Sequence, residues 1–465
     1  MDYDVVILGG GIIGCAAAYE LSKYSLNIAV IEKNYDIADD VALVNTDIIY
    51  DGIECDDTLV SKLELMGNGM FEELCERLDV PFNRSGGLII AGTEEEEKRI
   101  IQMYDKAINK GIKNLRVLDS EKVYEMEPNL NVKVRKAIYS ENMGVICPYD
   151  LAIAYGEVAF DNGVNFKLEE EVVEIVKLSK GFRVETNKNK FTCKMVINTT
   201  YKGQYGIDNE TFESVDNNGG DVNYFLLDKG FKGMFSNVLF NIGEKGDITY
   251  AVPAVHGNTV AALNTRENLD FNNSLQKVSG LVNGIKVENI VNYYQTTLHD
   301  NTVLIDDSSV DKGYIKVIAK HYGEVTMTPA IAIIICETVI SNTKCKLRRD
   351  FNDKRREFFR FRYMSNEERA KVIKVDSKYG KMICRCQKVT EGEIVDAIRR
   401  PLGARTVEGI KRRTGATFGS CQGSYCLNKI VSILARETNK NVIDIVKDSK
   451  SSRVVPNRIK EFDGV

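Results

Sequence analysis

The residues whose types and spacing can do chemistry stand at the two ends of the chain. Near the finish are Cys384, Cys386, Cys421 and Cys426, a C-x-C pair followed by a C-x4-C pair. Thiolates are soft metal ligands, and two close pairs on loops suit either tetrahedral zinc or a [2Fe–2S] cluster. Gly419 and Gly423 flank Cys421 and leave backbone amides exposed near the sulfurs. At the start, Gly9, Gly11 and Gly14 spell G-x-G-x-x-G within "DVVILGGGIIGCAAAYELSKYSLNIAVIEK". Gly9 allows a tight turn, Gly11 lets the backbone approach a pyrophosphate, and Gly14 lets a helix pack on a strand. Glu32 ends the next apolar run; a carboxylate there suits a ribose hydroxyl and repels a 2′-phosphate. The chemistry implied is adenine-dinucleotide binding at one end and a sulfur-ligated metal at the other.

Each set needs elements to hold it. Val5 to Leu8 and Ile28 to Ile31 are short apolar runs of the kind that form buried parallel strands, with a helix between them. The helix N-terminus then offers its amides to the phosphates. In the late segment, Thr390 and Glu393 form a capping box that opens a helix to Ile398. A second helix is expected over Thr406 to Arg413, and a third near Cys426. Between the ends, an amphipathic helix is expected near Val60 to Leu78, and a capped helix at 93 to 111 after Thr93. Residues 182 to 200 read as a hairpin ending in an apolar strand. Residues 220 to 320 carry short alternating runs that predict an antiparallel sheet. "TPAIAIIICETVI" (328–340) predicts a buried helix, and 345–380 a charged surface connector.

The fold class expected is therefore α/β. It has a Rossmann-like dinucleotide domain (1–85, 144–220 and 310–345), an inserted antiparallel substrate or cap domain (86–143 and 221–309) and the connector (346–380). A small helical cluster domain (381–440) and a tail (441–465) follow. Composition sets the outer bounds. The 465 residues are 43% hydrophobic and 28% charged, ordinary for a globular chain, and a net charge of -5 gives no general affinity for nucleic acid or anionic membrane. The longest apolar run, near Ala330 to Cys336, falls short of a membrane span, and the N-terminal run reads as a cofactor strand. Eleven cysteines without a disulfide pattern suit a cytoplasmic chain. Arg399, Arg400, Lys411, Arg412 and Arg413 read as ordinary exposed charges, with docking of an acidic electron partner as the sharper alternative.

The words around the cysteines carry a resemblance. "CRC", "VTEGEI", "RPLGART", "KRRT" and "CQGSYC" closely resemble the bacterioferritin-associated ferredoxin-like [2Fe–2S] domain appended to certain flavin dehydrogenases. With "MGNGMFEELCERLDVPF" (66–82), "GVICPYDLAIAYGEVAFDNGV" (144–164), "FLLDK" (225–229), "VHGNTV" (255–260) and "TPAIA" (328–332), nearly the whole chain looks like the FAD-dependent glycerol-3-phosphate dehydrogenase group of the D-amino-acid oxidase superfamily. The resemblance implies a glutathione-reductase-type FAD domain, with FAD held by Gly9, Gly11, Gly14, Glu32, Asn45 and Val172. It implies a [2Fe–2S] cluster on Cys384, Cys386, Cys421 and Cys426, with zinc as the alternative. It also implies oxidation of a small hydroxy- or amino-type substrate, and a redox partner protein or second subunit to receive electrons.

The flavin side departs from that pattern. Family hydroxyl and glycine positions are taken by Asp40, Val41 and Ala42, by Asn45, Thr46 and Asp47, and by Tyr50, Asp51 and Gly52. Tyr201 replaces a glycine, and Glu324 enters the turn before the last helix. The expected arginines near Asp221 and at 304–309 are missing. Reduced flavin is anionic at N1 and calls for donors, so added carboxylates there argue for a remodelled site. His321 and Tyr50 are the catalytic candidates by position. The expected activity is an FAD-dependent dehydrogenase with poor use of glycerol 3-phosphate. The alternatives are a non-catalytic electron-transfer or scaffold subunit, and a zinc-stapled scaffold.

Overall fold

The computed structural model describes residues 1–39, 47–201, 205–207, 221–231, 235–243, 246–297 and 302–455. Five strands form a parallel sheet in the order Asn165–Lys167, Ile28–Ile31, Tyr3–Leu8, Lys190–Asn198 and Tyr314–Lys320. Leu8 lies beside both Ile31 and Asn198, so Gly9, Glu32 and Thr199 emerge together at the carboxyl edge. That edge is where open α/β sheets bind ligands. Helices Ile12–Ser22, Pro148–Asp161 and Glu324–Asn342 share one core on this sheet, packed through residues as small as Cys15 and Ala16 to Ala18. The strands Val172–Lys177 and Phe182–Thr186 extend the sheet as an antiparallel meander that continues into Lys190–Asn198.

The second sheet has eight strands from two chain segments. Gly87–Ala91, Lys136–Ser140 and Leu115–Asp119 join Ile290–Thr297, Asp221–Leu227, Thr259–Thr265, Ile248–Pro253 and Val238–Ile242, the seam being the parallel pair Val238–Ile242 with Gly87–Ala91. Period-2 alternation divides its faces. Leu88 and Ile90 join the core with Val278 and Leu281, while Ile89 joins Tyr50, Tyr224, Phe240 and Tyr250 in the other.

Three differences from the sequence reading have physical causes. Thr302–Asp306 pairs antiparallel with Tyr314–Lys320, so it belongs to the first sheet and not to the inserted domain; alternation alone does not say which sheet a strand joins. The helix expected over Val60 to Leu78 is two, Thr58–Asn68 and Phe71–Leu78. Gly67 is the reason for the fit here: a Cβ on it would sit 1.9 Å from the Thr326 carbonyl, so only glycine lets the first helix meet the start of helix Glu324–Asn342. That last helix has 19 residues and is long and apolar enough to cross a membrane by length and composition, yet it is mostly buried in the first core.

The connector is the third difference. Many of its charges, among them Lys346, Glu357 and Lys371, are exposed as expected, but others turn inward. Arg355 Nε lies 2.6 Å and Arg400 Nε 3.0 Å from the Glu157 carboxylate, all three side chains being almost fully buried. Arg360 spans both oxygens of Asp150 at 3.1 Å. Burial opposes charge on Asp150 and Glu157, but the adjacent guanidiniums hold both carboxyls below the usual range. Beyond the connector, helices Glu391–Arg399, Val407–Thr414 and Leu427–Thr438 close on Ile394, Ile398, Ile410, Ile430 and Leu434.

Candidate functional site

The carboxyl edge of the first sheet begins with the glycine turn. Gly9 has φ 98°, open to glycine and strained for other residues. A Cβ on Gly14 would lie 2.0 Å from the Gly9 carbonyl, so the helix can approach its strand only as glycine. Gly11 caps helix Ile12–Ser22 without a side-chain hydrogen bond, leaving its first amides to a ligand phosphate. Glu32 accepts from the Gly10 amide at 2.7 Å and the Asn34 amide at 2.8 Å. Burial raises its carboxyl from the ordinary value, with these two amides opposing the shift. The Glu170 amide donates to the Glu32 carbonyl, which brings Val172, at the start of its strand, beside the same edge. Asn45 lies outside the described residues.

Further along the edge, the Thr199 hydroxyl donates to the Leu8 carbonyl and closes on Gly9. Tyr201 is 38% exposed and its ring lies 4.5 Å from the Lys320 ammonium, so it flanks the edge without filling it. Then come His321 and Gly323 at the head of helix Glu324–Asn342. The Gly323 amide donates to His321 Nδ1 at 3.0 Å. That bond leaves the ring proton on Nε2, and burial pushes the imidazole down to about 4. His321 thus presents a donor rather than a base. Tyr50 is buried, its ring packed on Tyr322 and Phe240, its amide on the Thr326 hydroxyl and its carbonyl on Asn68.

Of the carboxyls expected to repel a flavin, Asp47 and Asp51 are buried and shifted upward, as are Glu54 and Glu64, which the sequence did not single out. Burial raises Glu64 to about 8, with Glu54 and Asp51 adding to the shift. Burial also raises Glu54 to about 8 and Asp47 to about 7, and it raises Asp51. A carboxyl kept neutral near pH 7 is a hydrogen-bond donor, the property an electron-rich ring edge needs. Asp47 acts electrostatically on Cys147, Tyr149, Tyr224 and Tyr294.

Among the described residues, one set of three His, Cys, Asp or Glu ligand atoms lies mutually within 4.8 Å: Cys147, Asp150 and His256. Its charge is already balanced by Arg360 on both Asp150 oxygens, and His256 Nδ1 meets the Tyr363 hydroxyl at 2.9 Å. It is a polar joint between sheet, insert and connector.

The four late cysteines come together as two couples. Cys386 Sγ is 3.5 Å from Cys421 Sγ, and Cys384 contacts Cys426. The first couple faces outward and the second is 1% exposed. A tetrahedral zinc with bonds of about 2.3 Å would hold all four sulfurs about 3.8 Å apart. No three of these sulfurs lie within 4.8 Å of one another, whereas two couples suit the two irons of a [2Fe–2S] cluster. Gly419 is required here, because its Cβ would be 2.3 Å from that of Cys386. The amides of Gly423 and Tyr425 point at the Cys421 sulfur.

Comparison with known proteins agrees with this geometry. Residues 4–207 match the family model for FAD dependent oxidoreductases, and residues 382–436 match the BFD-like [2Fe-2S] binding domain. A glycerol 3-phosphate dehydrogenase of Caloramator mitchellensis is 36% identical, over 97% of this chain and 98% of the relative. The chain belongs to the FAD-dependent oxidoreductase family. The mitochondrial L-2-hydroxyglutarate dehydrogenase of Caenorhabditis elegans is 34% identical over 31% of this chain and 34% of that protein. In fold, the structure of an L-alpha-glycerophosphate oxidase from Mycoplasma pneumoniae with FAD bound aligns at TM-score 0.64 and 20% identity, covering 76% of this chain and 98% of that one.

As a family member, the chain has FAD and a [2Fe–2S] cluster as its cofactors. The residues present fit both. The Gly9–Gly14 turn, uncapped helix amides and Glu32 suit the ADP half, and the paired thiols with their amides suit the cluster. Sequence reasoning missed the joint of Asp150 and Glu157. Its signal was two acids seven positions apart, hence on one face of an otherwise apolar helix, which demands buried cations.

Proposed function

We propose that this FAD-dependent oxidoreductase oxidises a small secondary alcohol and sends the electrons out through the cluster domain. The alcohol class is supported by the glycerol 3-phosphate and L-2-hydroxyglutarate relatives, both named for substrates with a C–OH centre. FAD supplies two-electron oxidation and the cluster supplies one-electron exit. The chain's own residues bind and orient. Gly9 to Gly14 and Glu32 hold the dinucleotide, Tyr322 and Tyr50 wall the interior, and Glu54 and Glu64 hold protons there. The observation that carries the reading is that dinucleotide edge and thiol couples are parts of one interlocked body, joined by buried ion pairs from Arg355 and Arg400 to Glu157. Anaerobic addition of glycerol 3-phosphate, L-2-hydroxyglutarate and related hydroxy acids should bleach the flavin absorbance with at least one of them. Glycerol 3-phosphate should be a poor member of the series, because the interior is lined with acids and the anion-clamping arginines are missing. Rapid turnover of it would refute that substrate assignment.

The receiving partner in this reading is an acidic one-electron carrier protein. The stretches that carry the cysteines hold Lys381, Arg385, Lys388 and Lys429, and residues 381–390 and 414–435 contain no Asp or Glu, although Lys381 pairs with Glu391. Tyr425, beside Cys426, is 80% exposed. Electron delivery to an acidic carrier should slow as salt rises. A cytoplasmic location belongs to the same reading, since none of the eleven cysteines is in a disulfide. A second reading, a subunit that relays electrons without its own substrate, is favoured by the carboxyls of Glu54 and Glu64 in the interior. Flavin that no substrate bleaches, beside a reducible cluster, would select it.

A further inference from the structure

The cluster domain reaches across to the wall of the dinucleotide site. Arg413 places Nη1 2.6 Å from Asp36 Oδ2 and Nη2 2.7 Å from Asp36 Oδ1, a two-pronged pair with both side chains 2–3% exposed. The neighbouring Arg412 bonds Asp39 and, at 3.0 Å, Asp448. Helix Val407–Thr414 approaches so closely that a Cβ on Gly409 would lie 2.6 Å from Asp36 Oδ2.

Residues 33–39 are the segment that leaves Glu32, and they fold back onto the glycine turn. The Ala38 amide donates to the Gly10 carbonyl at 2.9 Å, with Ala38 at φ 62°. The Asn34 amide donates to Glu32 Oε1, and its side chain donates to Asp39 Oδ2 at 2.8 Å. Ile37 Cγ2 lies 3.2 Å from where a Gly10 Cβ would be. Asp36 and Asp39 therefore join the arginines to the same short loop that fixes Gly10 and Glu32. A non-glycine residue in the left-handed region is strained and persists only where its surroundings enforce it. Arg413 and Arg412 bond Asp36 and Asp39, the residues on either side of Ala38.

We propose that Arg413 and Arg412 are positioning residues for FAD: by clamping Asp36 and Asp39 they hold the loop that shapes the ADP half of the site, so FAD binding and docking of the cluster domain are one coupled equilibrium. By linkage, whatever factor docking adds to FAD affinity, FAD returns to docking. The proposal rests on the FAD assignment above.

The test is the FAD dissociation constant, measured by flavin fluorescence quenching on deflavinated full-length protein with its cluster in place. Arg413→Gln, Asp36→Asn and the double variant should each bind FAD about tenfold more weakly, the double no worse than the weaker single. Arg413→Lys keeps the charge and loses the second prong; it keeps the test available if the uncharged variants do not fold, and should lie between them and the wild type. Arg399→Gln, which breaks an exposed pair with Glu437 on the same domain, should leave the constant unchanged. Amide exchange at 33–39 should speed up in the Arg413 variants while iron and sulfide content stay at wild-type level. Wild-type FAD affinity in folded Arg413→Lys and Asp36→Asn would overturn the proposal alone. Wild-type protein that takes up no FAD would contradict the cofactor assignment and the proposal with it.

Discussion

Glu64 and Gly323 are in a contact that leaves no room for a side chain between them. A Cβ on Gly323 would lie 2.0 Å from Glu64 Oε1. The carboxyl is 1% exposed, and its oxygens face the start of helix Glu324–Asn342 without a hydrogen bond of normal geometry. Gly323→Ala must therefore displace Glu64 or shift the helix, which is overpacking and costs about 1–3 kcal/mol. Urea unfolding should show that loss, and Glu64→Ala on the same background should recover part of it. A Gly323→Ala variant as stable as wild type would contradict the contact.

Glu64 also sets a pH dependence with a definite sign. Its carboxyl ionises near 4.5 in the unfolded chain and at about 8 in the fold, because of burial and then Glu54 and Asp51. Below pH 4.5 both states hold the proton and no penalty exists. As pH rises the unfolded chain releases it first, so the fold loses stability, and the loss is complete above about pH 8. Glu64→Gln keeps the shape and removes the charge. Between pH 6 and 9 wild type should lose about 3 kcal/mol relative to the variant. Melting curves at pH 6, 7, 8 and 9 check this; parallel curves would mean that Glu64 is already ionised in the fold.

Glu157 holds two arginines from distant parts of the chain. Removing its charge leaves Arg355 and Arg400 buried without a counter-ion, a loss of about 3–5 kcal/mol. Glu157→Gln should lower the unfolding midpoint and make the connector near 355 more open to limited proteolysis. Asp161→Asn, which breaks the more exposed pair with Arg356, should cost about 0–1 kcal/mol.

The thiol couples predict an all-or-none cluster. Cys384→Ser and Cys386→Ser each take a ligand from a different couple, and each should abolish bound iron and acid-labile sulfide. Cys147→Ser, at the joint with Asp150 and His256, should leave both at wild-type level. Iron that survives in either of the first two variants would place the cluster elsewhere.

Sequence alone made the ends legible because their chemistry is local. The glycine turn lies between a strand and its own helix, and each cysteine pair spans a few residues. The middle was harder, since its meaning depends on residues far away in the chain. The charged run 345–380 reads as solvated until Glu157 and Asp150, about two hundred positions earlier, are seen facing it. Arg412 and Arg413 look like surface charges for the same reason, their partners being Asp39 and Asp36. Asp47 looks like a repulsive anion until its burial raises its carboxyl to about 7. The strand at 302–306 has the right alternation, but only pairing assigns it to a sheet.

The most direct test is a reductive titration of anaerobically purified protein, with its FAD, iron, zinc and sulfide measured beforehand. The expected result is one FAD and two irons with two sulfides per chain, and uptake of three electrons, two by flavin and one by the cluster. Uptake of two electrons with zinc on the cysteines, or of one with no flavin present, would contradict a single chain that joins an adenine-dinucleotide site to an iron–sulfur exit.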